Sequence, residues 1–323
     1  MNHILLNLFT GLVVAILSGA WAVAQTPVNV LATVGMIGDV ARNVGGDCVD
    51  VEVMMGPGID PHLYQASARD IQKLSEADII FYTGYALEGQ LGDVLERFGR
   101  QKPTLALAPA AIQESELIAS DDSYGVDPHL WMDASLWAKL APLIASELTG
   151  LAPDCAEGFE QRAEGFVLEL DALHHWINGA ILSIPEGQRL LVTAHDAFAY
   201  YGRAYGIEVL GIQGISTESE AGIADIRDTA KLVGERQVPA VFVESTINPR
   251  TIQAVVEAAA QAGHELAIGE ELYSDAMGDE GSYGGTYIGM LYSNTSHIVA
   301  GLGGEAPALP AALVAWAQEW GLD

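Results

Sequence analysis

Basic side chains are scarce in this 323-residue chain: 14 Lys and Arg stand against 43 Asp and Glu, for a formal charge of −29. So acidic a surface repels nucleic acid and anionic lipid, excluding both as partners, and weakly draws cations toward any cleft. Cysteine is equally short. Cys48 and Cys155 are the only two, and neither has a CxxC partner, which removes thiolate metal sites and dithiol redox centres. In an exported chain the pair permits one disulfide, and the sequence leaves open whether they lie close enough to form it. Neither an HExxH zinc-protease helix nor a GxSxG nucleophile elbow is present.

Ionic residues are missing altogether from residues 1–24, which run apolar from Ile4 to Val23 and end in Ala22-Val23-Ala24. That small-x-small ending is a signal-peptidase pattern, so we expect export to the periplasm with cleavage after Ala24. No cysteine sits near the cut to carry a lipid. No later charge-free apolar run is long enough to span a bilayer, so the mature chain is expected not to insert in one.

What remains alternates short β-branched runs with amphipathic stretches. Strands are expected at Val28 to Val34, Val49 to Met55, Ala77 to Tyr82 and Thr104 to Ala108. Helices are expected at Ile37 to Val44, from the Ser67-Ala68-Arg69-Asp70 capping box onward, and at Leu87 to Phe98. A second series has strands at Arg189 to Ala194, Glu208 to Ile215, Ala240 to Glu244 and Glu265 to Ile268. Its helices are Ala197 to Tyr205, Ala221 to Arg236, Pro249 to Ala262, Tyr287 to Leu302 and Ala308 to Trp320. Between the series, Phe159, Phe166, Leu170, Leu173, Ile177 and Ile181 recur at helical spacing without an internal proline, a rod of about 40 Å. The expected fold is therefore α/β: two doubly wound lobes with parallel sheets (25–153 and 185–323) joined by one long rigid helix (154–184).

Two copies of one tripeptide, Asp60-Pro61-His62 and Asp127-Pro128-His129, carry the chemistry together with His195 at the end of an apolar strand. Imidazoles are the commonest protein ligands for transition metals, and the carboxyl ends of parallel strands form the ligand crevice of such sheets. Proline stiffens the approach to each repeated histidine. Of the others, His174, His175, His264 and His297 are expected to face solvent. A fourth ligand should be an acid, because three neutral imidazoles leave a divalent ion its full charge. Asp275, in a loop beyond the last strand, and Glu244, at the end of Ala240 to Glu244, are the two candidates.

The segments Gly56 to Tyr64, Asp127 to Asp133, Thr193 to Tyr201, Gly214 to Glu220 and Gly284 to Met290 resemble, in order, the motifs of the zinc/manganese solute-binding proteins of ABC importers. The resemblance spans nearly all of residues 25–323. It implies a metal buried between two lobes, with His62 and His129 from the first and His195 and Asp275 from the second. It implies a monomer that hands its ion to an ABC permease and, through it, to the ATPase. Glu244 then becomes an acid that orients a ligand rather than a ligand itself. Asp60, Asp127 and Asp196 adjoin the histidines either as further orienting acids or as backbone caps. Zinc-specialised members often carry a long His-rich loop; the corresponding Gln113 to Val126 holds Glu114, Glu116, Asp121 and Asp122 but no histidine, so no auxiliary capture is expected.

Three imidazoles and a carboxylate suit zinc best, and the Irving–Williams order places zinc above manganese; manganese is expected where a bidentate Asp275 raises the coordination number. The rival reading is a zinc hydrolase using the same four residues. Catalytic zinc keeps three protein ligands and an open water position, so a four-ligand set argues for a carrier and not an enzyme. A haem or siderophore carrier would need a basic or aromatic cleft that 14 Lys and Arg supply poorly.

Overall fold

A computed structural model of the protein describes residues 26–120 and 125–322. The expected leader, residues 1–24, and the acids Asp121 and Asp122 lie outside the described residues. The first lobe is built on four parallel strands, β1 (Val28–Val34), β2 (Val49–Met55), β3 (Ile79–Tyr82) and β4 (Thr104–Ala106), in the order β2-β1-β3-β4. The apolar runs settle in the centre: Val30 pairs with Ile79 and Ala32 with Phe81, and all four are buried. β2, whose sequence alternates, takes an edge against β1. Helix Gly35–Gly45 lies tight on that edge, because a Cβ on Gly38 would stand 2.5 Å from Val53 Cγ2.

The second lobe repeats this plan with less sheet. β5 (Leu190–His195) pairs with β6 (Glu208–Gln213), and β7 (Ala240–Val241) with β8 (Ala267–Ile268), both parallel. The Phe242 N–H donates to Val192 O at 3.0 Å and joins the two pairs. The resulting order, β6-β5-β7-β8, matches that of the first lobe. In each, the chain switches sides at the central strands, and the crevice outside their carboxyl ends is the natural ligand position.

Helix Ala156–Leu182 runs 27 residues without a break and buries Phe159, Phe166, Leu170, Leu173, Ile177 and Ile181, the residues its spacing singles out. It grips both lobes. Arg162 donates to Val44 O and Gly45 O, each at 2.8 Å, and Trp176 Nε1 donates to Pro307 O at 2.8 Å. Cys48 and Cys155 do form a disulfide, tying the start of β2 to the foot of this helix. The lobes also share a core. Fully buried Trp131, Trp137 and Tyr287 pack together across the junction, with the Tyr287 hydroxyl donating to Trp131 O at 2.7 Å. Beside them, the Tyr287 N–H at the start of helix Tyr287–Gly301 donates to Asp39 Oδ2 of the first lobe at 3.1 Å, satisfying an otherwise orphaned helix donor.

Several elements are shorter than their sequence patterns suggest. Thr104 to Ala108 is strand only to Ala106, after which helix Leu107–Ala111 begins. Ala240 to Glu244 is strand only to Val241; Glu244 instead makes an isolated parallel bridge with Leu272, and this break lets its side chain turn toward His195. Glu265 to Ile268 is strand only at Ala267–Ile268. Leu87 to Phe98 opens with a 3-10 turn at Gly89–Leu91 before helix Gly92–Phe98, and Ala308 to Trp320 is a 3-10 turn followed by helix Val314–Glu319.

Two outcomes are expected from this frame. The disulfide closes a loop with a sequence separation of 107, so replacing both cysteines by serine should cost about 4 to 5 kcal/mol of unfolding free energy in urea titrations. Asp39 is pushed up to about 6, mainly by burial and slightly by Glu169, against the opposing pull of the Tyr287 N–H and Arg42. A carboxyl raised above its unfolded value favours the folded state most when protonated. Stability should therefore rise as pH falls from about 6 toward 4, by about 2 to 3 kcal/mol relative to Asp39→Asn. Parallel pH profiles for the two proteins would contradict this.

Candidate metal centre

The repeated tripeptide has a local explanation. In both copies the Asp side chain accepts the backbone N–H of the His two residues on, Asp60 Oδ1 from His62 at 2.8 Å and Asp127 Oδ1 from His129 at 2.9 Å. This is an Asx turn, stiffened by the intervening proline. The first copy is delivered by a turn after β2 that uses a left-handed Gly58 (φ +70°). The second is tied to the other lobe by Tyr200, whose hydroxyl donates to Asp127 O at 3.0 Å and accepts the Ile118 N–H at 3.0 Å. His195 is the last residue of β5.

These segments bring His62, His129, His195 and Asp275 to one buried point, their ligand atoms all within 4.8 Å of one another. His129 Nε2 lies 3.3 Å from His62 Nε2, 3.4 Å from His195 Nε2 and 3.3 Å from Asp275 Oδ1, while His195 Nε2 lies 3.5 Å from Asp275 Oδ2. Ligands about 2.0 to 2.1 Å from a tetrahedral ion stand about 3.3 to 3.4 Å apart. The three separations from His129 Nε2, to His62, His195 and Asp275 Oδ1, thus match the edges that meet at one vertex of a coordination tetrahedron.

The outward nitrogens fix which atoms point in. His129 Nδ1 meets Asp127 Oδ1 at 2.7 Å, and His195 Nδ1 meets Glu244 Oε2 at 2.8 Å, while Glu244 Oε1 accepts the His195 N–H at 2.9 Å. A carboxylate only accepts, so Nδ1 carries the proton in both rings and Nε2 faces the centre. Asp127 therefore caps backbone and orients ring together. Asp60 caps His62 and with its other oxygen accepts the Thr217 hydroxyl from the opposite lobe at 2.6 Å. Asp196 makes no hydrogen bond to the three imidazoles among the described residues. Asp275 Oδ1 is buried without a hydrogen bond, an orphaned acceptor that a cation would satisfy.

Charge completes the fit. Burial lowers His129, but Asp127 and then Asp275 outweigh it and hold the ring up to about 10. His195 is likewise raised, Asp275 and Glu244 overcoming burial. His62 is pushed down to about 3 by burial, with its two imidazole neighbours adding to the fall against the pull of Asp275. Asp275 is held below the usual carboxylate range, because His195 and His129 outweigh its burial. The acids around the rings thus favour positive charge at this point.

The sequence pattern missed the residues that seat Asp275. Asn294 clamps the backbone of Tyr273, accepting its N–H at 2.8 Å and donating to its carbonyl at 2.7 Å. Trp131 Nε1 donates to Ser274 O at 2.9 Å from the first lobe. A buried Asn inside an apolar helix was the available signal. Of the four histidines expected to face solvent, His175 does, but His174, His264 and His297 are half-buried. His174 packs on Tyr205 with ring centroids 5.1 Å apart and comes within 3.6 Å of Asp133.

Fold and site together define a two-lobed solute-binding protein with three buried histidines and one aspartate, drawn from both lobes, that could hold a metal ion. Residues 30–301 match the family described as zinc-uptake complex component A, periplasmic, and the chain belongs to that family. It is 43% identical to the manganese-binding lipoprotein MntA of Bacillus subtilis (strain 168) over 279 residues, covering 86% of this chain and 91% of that protein. It is 40% identical to the zinc-binding protein TroA of Treponema pallidum (strain Nichols) over 273 residues, 84% of this chain and 88% of the other. The solved structure of the periplasmic zinc-binding protein TroA superposes with a TM-score of 0.83 at 39% identity, covering 86% of this chain and 99% of that one. Fe(III)-bound YtgA from Chlamydia trachomatis gives a TM-score of 0.79 at 26% identity, covering 87% and 100%. The chain is thus a metal-binding substrate-binding protein of the ABC-importer class.

An imidazole must be neutral to bind a metal ion, and the nearby acids favour the charged form of His129 and His195. Calorimetry in buffers of different ionisation enthalpy should show proton release on ion binding, and apparent affinity should fall as pH drops. Zero release would contradict the ligand assignment. The Thr217–Asp60 bond clasps the lobes beside His62, so Thr217→Val should speed ion release to a chelator about tenfold, the effect of one hydrogen bond to a charged group.

Proposed function

We propose that the protein captures zinc with high affinity in the periplasm, as a monomer, and delivers it to an ABC-type permease driven by its ATPase. The single observation that carries this reading is the set of four donor separations of 3.3 to 3.5 Å among three imidazole nitrogens and a carboxylate. The three that meet at His129 Nε2 have the spacing, and the set has the ligand types, of tetrahedral zinc. Export rests on the leader pattern ending at Ala24, and both cysteines are joined to each other, so neither serves as a lipid anchor. Among the described residues no helix is long and apolar enough to cross a membrane.

Manganese is the second reading, favoured by one observation. Asp275 turns Oδ1 toward His129 and Oδ2 toward His195, so both oxygens can reach one ion and make it five-coordinate, which suits the larger ion better than zinc. The names of the relatives divide the same way. A hydrolase is not proposed: four buried protein donors leave no coordination position for a catalytic water.

Metal analysis of the protein purified from its own host, followed by competition between Zn2+ and Mn2+, tests the proposal. Zinc at one equivalent, displaced by manganese only in large excess, is the expected result. His195→Ala or Asp275→Ala should each weaken zinc by at least about 100-fold, as loss of a ligand must exceed loss of an orienting partner. A protein that copurifies with manganese and keeps it against equimolar zinc would overturn the zinc assignment.

A further inference from the structure

Glu88 is a buried carboxylate that the ion site does not use. It is 2% exposed, follows β3 at the carboxyl edge of the first sheet, and burial raises its pKa. Its oxygens are spent on the frame. Oε1 accepts the Thr83 N–H at 2.6 Å and the Thr33 hydroxyl at 2.9 Å, and Oε2 accepts the Gly84 N–H at 3.2 Å. Thr33 belongs to β1 and Thr83 follows β3, so Glu88 staples the two central strands where the chain switches sides.

The turn it closes is conformationally costly. Gly84 (φ +93°), Tyr85 (φ +50°), Ala86 (φ +60°) and Gly89 (φ +47°) are all left-handed. Glycine takes that region freely, but Tyr85 and Ala86 each cost about 1 kcal/mol or more, so something must over-determine the turn. Its far end bears on the metal centre: a Cβ on Gly89 would stand 2.5 Å from the His62 carbonyl oxygen. His129 and His195 are each aimed by a carboxylate on Nδ1. The backbone of His62 is held between Asp60 on its N–H and this turn against its carbonyl.

We infer that Glu88 is a positioning residue that holds the left-handed turn 84–89 against the backbone of His62 and so sets that ligand's reach to the ion. The inference rests on the ligand set proposed above. Glu88 touches no ion; it acts through the turn. In Glu88→Gln an amide NH2 must face an N–H or hydroxyl donor, so the staple loses acceptors with little change in volume.

The test uses Co2+ as the probe, loaded into the full mature chain. Wild type should take one equivalent and show the intense visible bands of a low-coordinate site. Glu88→Gln should bind on the order of 10- to 100-fold more weakly, as for other residues that orient a metal ligand, with bands shifted or weakened. Adding Ala86→Gly, which relieves the turn, should restore part of the affinity and the spectrum. Thr33→Val should move both readouts the same way by less, and it serves if Glu88→Gln does not fold. Wild-type affinity in Glu88→Gln, or weaker binding with an unchanged Co2+ spectrum, would overturn the inference. Failure of wild type itself to take up Co2+ would instead overturn the ligand assignment on which it rests.

Discussion

Three buried carboxylates, Asp127, Glu244 and Asp275, face two buried imidazoles, and much else in the structure accommodates that fact. Carboxylates taken out of water are costly unless paired. Here the rings of His129 and His195 stand against them, and the acids favour the charged form of both rings over the opposing effect of burial. A divalent ion at the two Nε2 atoms would meet the same three carboxylates.

A metal ion at this point needs donors held to within a few tenths of an ångström, which accounts for where the rigidity of the fold is placed. The long helix holds one lobe through its Arg162 and packs its Trp176 against the other, the disulfide anchors its foot, and Trp131, Trp137 and Tyr287 make one core across the junction. Asp275 depends on both lobes: its loop is set by Asn294 on one side and by Trp131 on the other. Aromatic side chains suit this task, offering large contact area with few rotatable bonds. Polar contacts between the lobes, such as Thr217 to Asp60, lie nearer the ion, where separation must be possible.

How much of this was legible in the sequence follows from how local each device is. The Asp-Pro-His pairs were readable because an Asx turn is made within three residues, and His195 because strand ends are where parallel sheets expose ligands. The long helix was readable from its spacing and flanking prolines. Asp275 was not separable from Glu244 on residue pattern alone. Both are acids beyond strand ends, and what distinguishes them is contact with residues far along the chain: Asn294 and Trp131 for one, His195 for the other. The same holds for Glu244 being drawn off its strand, which shortened an apparently continuous β-run, and for the turn at Glu88, whose left-handed Tyr85 and Ala86 carry no sequence mark. His174 was misjudged because an aromatic from another helix, Tyr205, covers it.

The candidate donors are divided evenly between the lobes. His62 and His129 come from the first lobe, His195 and Asp275 from the second. Each lobe alone offers two ligands, too few to compete with water and a receiving site. A shift of about 1 Å between the lobes would take the two separations that cross the junction, His129 to His195 and His129 to Asp275, out of tetrahedral range. Each orienting acid lies in the same lobe as the ring it holds, Asp127 with His129 and Glu244 with His195, so each half of the candidate site keeps its own geometry whatever the other half does.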